Sequence, residues 1–353
     1  YLWSGPGAPP DPGCRVRVPL GNSERIGIVL EHVSSSHIGS AKLKELLEVL
    51  DVTPIVGPEL LATLLWCADY YHHPIGEVVS QALPTLLRRG RSPIAEPVLG
   101  WRLTDAGRSQ DLDLIARRAP RQAQGLEALA DDNAVSAQAL HALGVGRDVL
   151  ARLADKGWIH TATLAADTTS KQSPHTTDAA PIPELTEGQR AVLGTIDASQ
   201  PGYQPFLLQG VTGSGKTEIY LRLIARQLEA DRQSLLLVPE IGLTPQLVTR
   251  LERRFGDRLA LMHSGLSDGE RLNAWRDAYS GEAKLIVGTR SAIFAPLPRP
   301  GLIIVDEEHD PSFKQQEGFK YSARDLAVFR ARQLNVPVLL ASATPSLESF
   351  YNA

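Results

Sequence analysis

A glycine-rich loop near the middle of the chain has the composition of a phosphate-binding site. It follows the apolar run FLL and consists of Gly210, Val211, Thr212, Gly213, Ser214, Gly215, Lys216 and Thr217. Small residues let consecutive backbone N–H groups surround an anion at a helix N-terminus, where the helix dipole also favours negative charge. Lys216 would reach the β and γ phosphates, and the Thr217 hydroxyl would bind Mg²⁺. The loop therefore predicts binding of ATP with Mg²⁺, and a glycine-rich turn without a ligand is the alternative.

A second segment with chemical potential, LIIVDEEH at residues 302–309, ends an apolar run with a group of acids. A buried parallel strand of this kind delivers its carboxylates to the sheet edge where ligands bind in open α/β folds. We expect Asp306 to hold Mg²⁺ and Glu307 to orient and deprotonate the attacking water. An acidic strand end capped by a histidine is the alternative. Together with Lys216, the segment predicts hydrolysis of the bound nucleotide.

Three more segments follow predicted core strands and place hydroxyl and cationic groups on the same rim. They are VPEIGLT at 238–244, GTRS at 288–291 and SAT at 342–344. Such groups commonly contact phosphate oxygens of a nucleic-acid strand. Singly each is an ordinary strand-to-helix loop, but in this order they resemble motifs Ia, Ib and III of the superfamily-2 helicases. The resemblance implies DNA contact or coupling by Thr289, Arg290 and Thr344, and adenine recognition by Gln189 in the upstream segment LTEGQ.

The loop between DEEH and SAT interleaves aromatic and cationic residues. It reads DPSFKQQEGFKYSARDLA and contains Phe313, Lys314, Phe319, Lys320, Tyr321 and Arg324. This composition suits stacking on bases while backbone phosphates are held, and inward packing of the aromatic rings is the alternative. The segments VPEIGLTPQ, MHSGLSDGERLNAW, GTRSAIF, KQQEGFKYSARDLA and ASATPSLE resemble, in register, the PriA family of bacterial primosomal helicases.

That resemblance implies an ATP-driven, 3′-to-5′ DNA helicase that recognises branched replication forks and recruits other primosome proteins and single-strand binding protein. It implies that the aromatic-rich loop couples DNA binding to hydrolysis through Lys314, Phe319, Tyr321 and Arg324. We expect a monomer in the bacterial cytoplasm, associated with the nucleoid at forks and not with a membrane. The competing hypothesis is a non-motor scaffold that binds fork DNA, assembles the primosome and keeps a residual ATP site.

The N-terminal region has patterns of its own. Residues 13–33 alternate apolar and polar positions around Gly21-Asn22, which predicts a hairpin, and helical spacing is present at 43–50 and 58–71. RVRVPLG, ERIGIV and ADYYHHPIG resemble the family's 3′ DNA-end binding domain, which implies that Gly21 and Lys44 line its pocket. Adjacent side chains diverge, so we reject a metal site at His72-His73. The chain begins inside that domain's first strand, so we expect an incomplete pocket.

Residues 94–165 show a helix, a turn, a helix and an apolar strand, which fits a winged-helix domain, although a spacer without DNA contact is an equal alternative. The polar stretch 166–183 predicts a linker. We therefore expect a multidomain α/β protein with a β-rich DNA-binding domain at 1–90, the winged-helix domain, and one RecA-like lobe with a parallel sheet at 184–353.

Bulk composition agrees with several domains and adds limits. The chain has 353 residues, a hydrophobic fraction of 43% and a net charge of −4, so DNA affinity must come from local cationic patches. Two cysteines, Cys14 and Cys67, do not suggest a disulfide framework. In the family, a zinc-binding insertion and a second RecA-like lobe follow the SAT segment, so we expect zinc only outside this chain. Hydrolysis by the chain alone should then be weak, because a cation from that lobe stabilises the transferring phosphoryl group.

Overall fold

The computed structural model describes residues 1–95, 99–131, 133–164 and 183–353. These residues form two compact units, one built from 1–94 and 183–353 and the other from the described part of 95–164. The predicted linker at 166–183, apart from Pro183, lies outside the described residues. Each of the two units has its own sheets and core, and the predicted division into domains stays a prediction.

The first unit opens with an antiparallel sheet in the order β2-β1-β3. Its strands are β1 (Arg15–Leu20), β2 (Ser23–Ile28) and β3 (Glu48–Val49). β1 and β2 pair from Arg15 with Ile28 to Leu20 with Ser23, so the two-residue turn at Gly21-Asn22 is confirmed. Gly21 has φ +59°, a conformation that glycine adopts without a Cβ penalty. Residues 4–12 contain no strand.

The helix predicted at 43–50 is wrong. This segment contributes β3 instead, and Val16 and Arg17 of β1 pair with Val49 and Glu48. The apolar residues of such a short segment satisfy helical and extended spacing equally well, and pairing with β1 decides the outcome. The helix predicted at 58–71 is confirmed and is followed by two more: α1 (Pro58–Tyr70), α2 (Ile75–Ala82) and α3 (Thr85–Arg88).

In its described residues, the second unit combines five helices with an antiparallel sheet in the order β5-β4-β6. Its elements are β4 (Leu99–Leu103), α4 (Asp105–Arg108), α5 (Leu112–Arg118), α6 (Pro120–Glu127), β5 (Val135–Ser136), α7 (Ala137–Ala142), α8 (Arg147–Asp155) and β6 (Ile159–Thr163). Ser136 caps α7 by accepting from Ala139 N. α7, a short turn, α8 and β6 follow one another as the pattern of that region predicts. A small core that includes Leu126, Leu140 and Leu153 holds them together.

A six-stranded parallel sheet forms the centre of the first unit, in the order β7-β12-β11-β8-β10-β9. Its elements in chain order are α9 (Glu187–Asp197), β7 (Pro205–Gln209), α10 (Lys216–Glu229), β8 (Gln233–Leu237), α11 (Pro245–Phe255), β9 (Leu259–Met262), α12 (Asp268–Ser280), β10 (Leu285–Gly288), β11 (Pro300–Asp306), α13 (Ala323–Leu334), β12 (Val338–Ser342) and α14 (Leu347–Asn352). Because all strands are parallel, the loops after them share one edge, where the phosphate-binding loop, the acidic segment and the segments VPEIGLT, GTRS and SAT lie.

Both faces of this sheet are buried, which explains its continuous apolar strands. Successive residues of a strand point to opposite faces: Leu235 and Leu237 join one core cluster, and Leu236 joins the other. Helices α10 and α11 cover the second face. The first face is covered by α12, α13 and residues 55–87, whose apolar side chains belong to the same cluster. The N-terminal helices therefore share a hydrophobic core with the sheet.

Among the described residues, no helix combines the length and apolar character needed to span a membrane. Cys14 and Cys67 are both free and buried.

Candidate nucleotide site and nucleic-acid interface

The phosphate-binding loop connects β7 to the N-terminus of α10, as its sequence predicts. Gly213 and Gly215 have φ of +83° and +84°, which only glycine adopts readily. A Cβ on Gly210 would lie 2.7 Å from Ser214 Oγ, so the turn is too tight for a side chain there. The loop therefore has the backbone form that exposes its N–H groups at a helix N-terminus.

Lys216, the first residue of α10, is 8% exposed and lies across the mouth of this loop. Its Nζ donates to Gly210 O at 2.8 Å and lies 3.7 Å from Glu307 Oε1. A buried ammonium with one carbonyl and one distant carboxylate has spare donors for an anion. The geometry holds the lysine ready to contact a phosphate at the loop.

Asp306 ends β11 beside this lysine. Tyr220 Oη donates to Asp306 Oδ2 at 3.1 Å, and Glu307 N donates to Asp306 Oδ1 at 3.1 Å. Burial raises the pKa of Asp306 above its ordinary value. Burial and the neighbouring Asp306 also raise the pKa of Tyr220, whose hydroxyl contacts Thr217. Tyr220 thus links the two side chains that we expect to hold Mg²⁺.

Glu307 has φ +46°, a left-handed conformation that is uncommon for a residue with a side chain. Its carboxylate is partly exposed and lies between two cations or potential cations, Lys216 at 3.7 Å and His309 Nδ1 at 3.7 Å. Strained backbone of this kind costs about 1–3 kcal/mol and is concentrated at functional sites. The strain turns Glu307 away from the strand direction and toward the phosphate-binding loop.

The acidic segment is also tied to the SAT segment. His309 Nδ1 and Ser342 Oγ are 2.7 Å apart, and Thr344 N donates to the same Ser342 oxygen at 3.0 Å. Glu308, 1% exposed, accepts from Ser346 N and from Arg324 Nη1. The segment around Thr344 is therefore joined by hydrogen bonds to the residues on the C-terminal side of Glu307.

Gln189 lies over the phosphate-binding loop. Its side chain completes a capping box with Thr186 at the start of α9, and its Nε2 donates to Ser214 O at 3.2 Å. The structure thus brings Gln189 to the loop of Gly210–Thr217, and adenine recognition by this residue stays a prediction.

The aromatic-rich loop packs inward. Phe319 and Tyr321 are 2% and 5% exposed, and their rings stack with centroids 4.9 Å apart. Phe294 packs edge-on against Tyr321, and Tyr71 at the end of α1 packs edge-on against Phe319. In this arrangement the two rings are not available for stacking on bases. Inward packing, the alternative for these two rings, is what the structure shows, and a coupling role for them stays a prediction.

Arg290 holds this loop in place. Its Nη1 donates to the carbonyls of Ser312 and Lys314, each at 3.1 Å, and its guanidinium also contacts the Tyr321 hydroxyl. Thr289 is buried, and Arg324 bonds to Glu308 and Asp325. Of the predicted DNA-contacting side chains in this lobe, those of Lys314 and Thr344 are exposed.

Gly21 and Lys44, the two predicted 3′-end residues, lie in the N-terminal sheet region. Gly21 is at the tip of the hairpin, and Lys44 is exposed with its carbonyl accepting from Leu2 N at 2.9 Å. Both are accessible, and the structure records no contact that joins them to the phosphate-binding loop.

Sequence reasoning missed Tyr220 and Glu308. Tyr220 lies four residues after Lys216 on the same helix, so its position on the face toward the site was available from helical spacing. Glu308 had no such signal, because its partners Ser346 and Ser349 become neighbours only through the pairing of β11 with β12.

The residues present fit ATP with Mg²⁺. A loop with two glycines at positive φ, a buried lysine with spare donors, and a half-buried carboxylate that is joined to a threonine through Tyr220 are the donors and acceptors that a metal–triphosphate requires. Mg²⁺ would be held by Thr217 and Asp306.

Comparison with known proteins agrees with this site. Residues 181–352 match the family described as DEAD/DEAH box helicase, and the parallel sheet carries the phosphate-binding loop and acidic segment at one edge. The fold and site therefore define a RecA-type lobe of the DEAD/DEAH box helicase class. Residues 1–84 match a second family, described as 3′DNA-binding domain (3′BD) of PriA.

Curated relatives give the particular family. The replication restart protein PriA of Haemophilus influenzae is 40% identical over 96% of this chain and 46% of its own length. Its counterpart in Chlamydia pneumoniae is 32% identical over 97% of this chain and 46% of its own length. That of Bacillus subtilis is 50% identical over 49% of this chain and 22% of its own length. The chain belongs to the PriA family of replication restart proteins and matches its N-terminal portion, spanning about half the length of the relatives first named here.

Among solved structures, one titled "Structure of RecG bound to three-way DNA junction" is 26% identical, with a TM-score of 0.36, over 48% of this chain and 22% of that chain.

Proposed function

We propose that the chain provides the ATP site and part of the DNA-binding surface of a 3′-to-5′ helicase. It would act on stalled or branched replication forks in the cytoplasm and start primosome assembly. The observation that carries the proposal is the convergence of Lys216, Asp306 and Glu307 at one sheet edge. Forked and single-stranded DNA, other primosome proteins and single-strand binding protein are its proposed partners. The relatives' names and the match to a 3′DNA-binding domain support this choice.

Each residue has a proposed task. Lys216 and the loop amides bind the phosphates and orient the γ-phosphoryl group, Thr217 and Asp306 hold Mg²⁺, and Glu307 receives the proton of the attacking water. Bound Mg²⁺ supplies charge neutralisation at the β and γ oxygens. Glu307 lies 3.7 Å from Lys216, beside the proposed position of the γ-phosphate.

We propose a domain division to match these tasks. Residues 1–90 bind DNA ends, 94–165 form a winged-helix domain, and 184–353 form the first RecA-like lobe. Signals from bound DNA would pass through Arg290 and the aromatic-rich loop to Arg324 and Glu308, and from there to Glu307. The hydrogen bonds from Arg290 to the loop backbone and from Arg324 to Glu308 support two steps of that route.

The test is ATP hydrolysis with and without forked DNA, measured on this chain and on the full-length Haemophilus influenzae relative. We expect the relative to hydrolyse ATP in a DNA-stimulated reaction that Lys216→Ala abolishes at the equivalent lysine. We expect this chain to bind nucleotide through Lys216 and to turn over more slowly by a factor on the order of 10³, if a second lobe supplies a cation. Fork binding with no hydrolysis by either protein would instead favour the non-motor scaffold.

A further inference from the structure

A pocket of about 230 Å³ lies where the N-terminal helices meet the sheet, away from the phosphate-binding loop. One wall is the segment from Ser80 to Arg88, which includes the end of α2 and most of α3. The other wall comes from the carboxyl ends of β9 and β10 and from α12. The lining side chains used below are Arg88, Thr85, His263, Arg271, Trp275 and Ser291.

Two nitrogen donors on the walls of this pocket have no acceptor among the described residues. Trp275 is 3% exposed, and its indole Nε1 has no hydrogen-bond partner. Arg271 Nε, one turn earlier on α12, is also buried without a partner. Leaving buried donors unsatisfied is costly. Both nitrogens belong to lining residues but are shielded from solvent as the side chains stand, so an acceptor from a ligand reaches either one only if its side chain shifts.

The charge of the described lining residues selects an anion. Arg88 and Arg271 contribute positive charge, His263, Thr85 and Ser291 add further donors, and none of the lining residues is acidic. Arg271 Nη2 donates to Ser264 O, and the exposed Arg88 donates through Nη2 to Thr85 Oγ1 at 3.2 Å. Guanidinium groups on opposite walls suit a group with several acceptor oxygens.

The size of the pocket limits which ligands can bind. Pockets for drug-sized molecules hold about 300–1,000 Å³, and this one is smaller. It can take a phosphate with part of a sugar, but it is too small for a whole nucleoside triphosphate. Its position after β9 and β10 places it at the opposite end of the strand order from β7 and its loop.

We propose that this pocket is a second phosphate-binding site, built jointly by the N-terminal helices and the helicase lobe. Its ligand is a phosphate group from a bound DNA strand or a free phosphate. The first source rests on the proposed function, since it requires that DNA lie along this edge. The second source does not. In either case a bound phosphate would bridge residues 80–88 to the sheet.

The test uses the full chain carrying Lys216→Ala, so that the first phosphate site does not compete. Two probes are titrated by calorimetry: inorganic phosphate and a short oligothymidylate. Arg88→Gln removes an exposed charge from one wall, and Trp275→Phe removes the indole N–H from the other while keeping an aromatic ring. Arg89→Gln is the matched control, because Arg89 is the adjacent exposed arginine and does not line the pocket.

We expect Arg88→Gln and Trp275→Phe to weaken the binding of at least one probe by roughly tenfold, which is the contribution of one charge-assisted contact. We expect Arg89→Gln to leave the binding of both probes unchanged. If the variants weaken binding of the oligonucleotide alone and bind its uncharged methylphosphonate analogue as the parent chain does, the ligand is a phosphate of a DNA strand. Weakening of inorganic phosphate identifies a free anion. If Trp275→Phe does not fold, Arg88→Gln against Arg89→Gln decides.

Equal binding by Arg88→Gln and Arg89→Gln for both probes overturns the proposal. The result is separable from the ATP site, because nucleotide binding by the chain with Lys216 intact is measured independently. Loss of nucleotide binding there would count against the proposed function and would leave the second site standing.

Discussion

A buried ion pair between Glu59 and Arg330 fastens the N-terminal helix α1 to α13 of the helicase lobe. Arg330 is 0% exposed, and its Nε and Nη2 donate to the two Glu59 oxygens at 2.9 and 2.8 Å. Arg330 Nη1 also donates to the carbonyls of Ile293 and Ala295. Replacing Glu59 by alanine would leave the guanidinium charge buried with carbonyl partners only.

The expected cost is large. Removing one partner of a buried pair costs about 3–5 kcal/mol, because the other charge stays desolvated. At 1.36 kcal/mol per tenfold change, this corresponds to a roughly 10²- to 10⁴-fold increase in local opening. The loss should be confined to α1 and α13, since they share the pair and the stacked rings of Trp66 and Phe329, 4.1 Å apart.

Hydrogen–deuterium exchange resolved to peptides of 58–70 and 323–334 measures this opening directly, and it avoids treating a chain of two units as one two-state system. The matched control is Glu48→Ala, which breaks a surface pair with Arg17 and should change protection by less than about 1 kcal/mol. The double change Glu59→Leu with Arg330→Met should recover part of the loss, although two carbonyls then lack a donor. Protection in Glu59→Ala equal to that in Glu48→Ala would refute the reasoning.

Three further outcomes follow from the same contacts. Asp306→Asn should raise the thermal midpoint of the ligand-free chain at pH 7, because a raised pKa means that ionised Asp306 opposes folding. The increase in midpoint should shrink as the pH falls toward 3.8, the ordinary pKa of an aspartate. An increase that grows on acidification contradicts this. Phe319→Ala should destabilise the chain by about 3–5 kcal/mol. The Tyr321→Phe variant, which loses one hydroxyl, should unfold within a few degrees of the original chain. Denaturation midpoints distinguish the two variants, and equal midpoints would place Phe319 outside the core. Burial raises the pKa of Cys67 to about 12, so a thiol reagent at pH 8 should label it only after denaturation, and fast labelling of the native chain would count against its burial.

Local sequence specified the catalytic elements well. The glycines of the phosphate-binding loop, Lys216 and Thr217 are contiguous, and the backbone conformations they permit are properties of the residues themselves. The apolar runs before Asp306 and Ser342 predicted buried parallel strands, and the pairing of β11 with β12 confirms that they are neighbours. Once those strands are parallel, their carboxyl ends must share an edge.

Composition alone left the aromatic-rich loop undecided between stacking on bases and packing inward. Burial of Phe319 against Tyr71 and Tyr321 was settled by elements far away in the chain, since Tyr71 ends a helix in the N-terminal region. Distant elements also decide the role of Arg290. In the sequence it is a cation without an evident partner, whereas in the fold it donates to the backbone carbonyl of Lys314 in the aromatic-rich loop. The helix predicted around β3 was wrong because two paired residues are too few to distinguish the spacing of a strand from that of a helix.

Sequence by itself determined which residues carry the chemistry proposed for phosphate binding and for activation of water, because that chemistry belongs to the side chains and to local backbone freedom. Only the tertiary structure decided which of them act together. Arg330 forms an ion pair with Glu59, which is 271 positions away in the chain. Arg88 and Trp275 line the same pocket. Such pairings depend on how helices from the N-terminal region cover one face of the sheet, and packing of that kind is a property of the whole apolar surface.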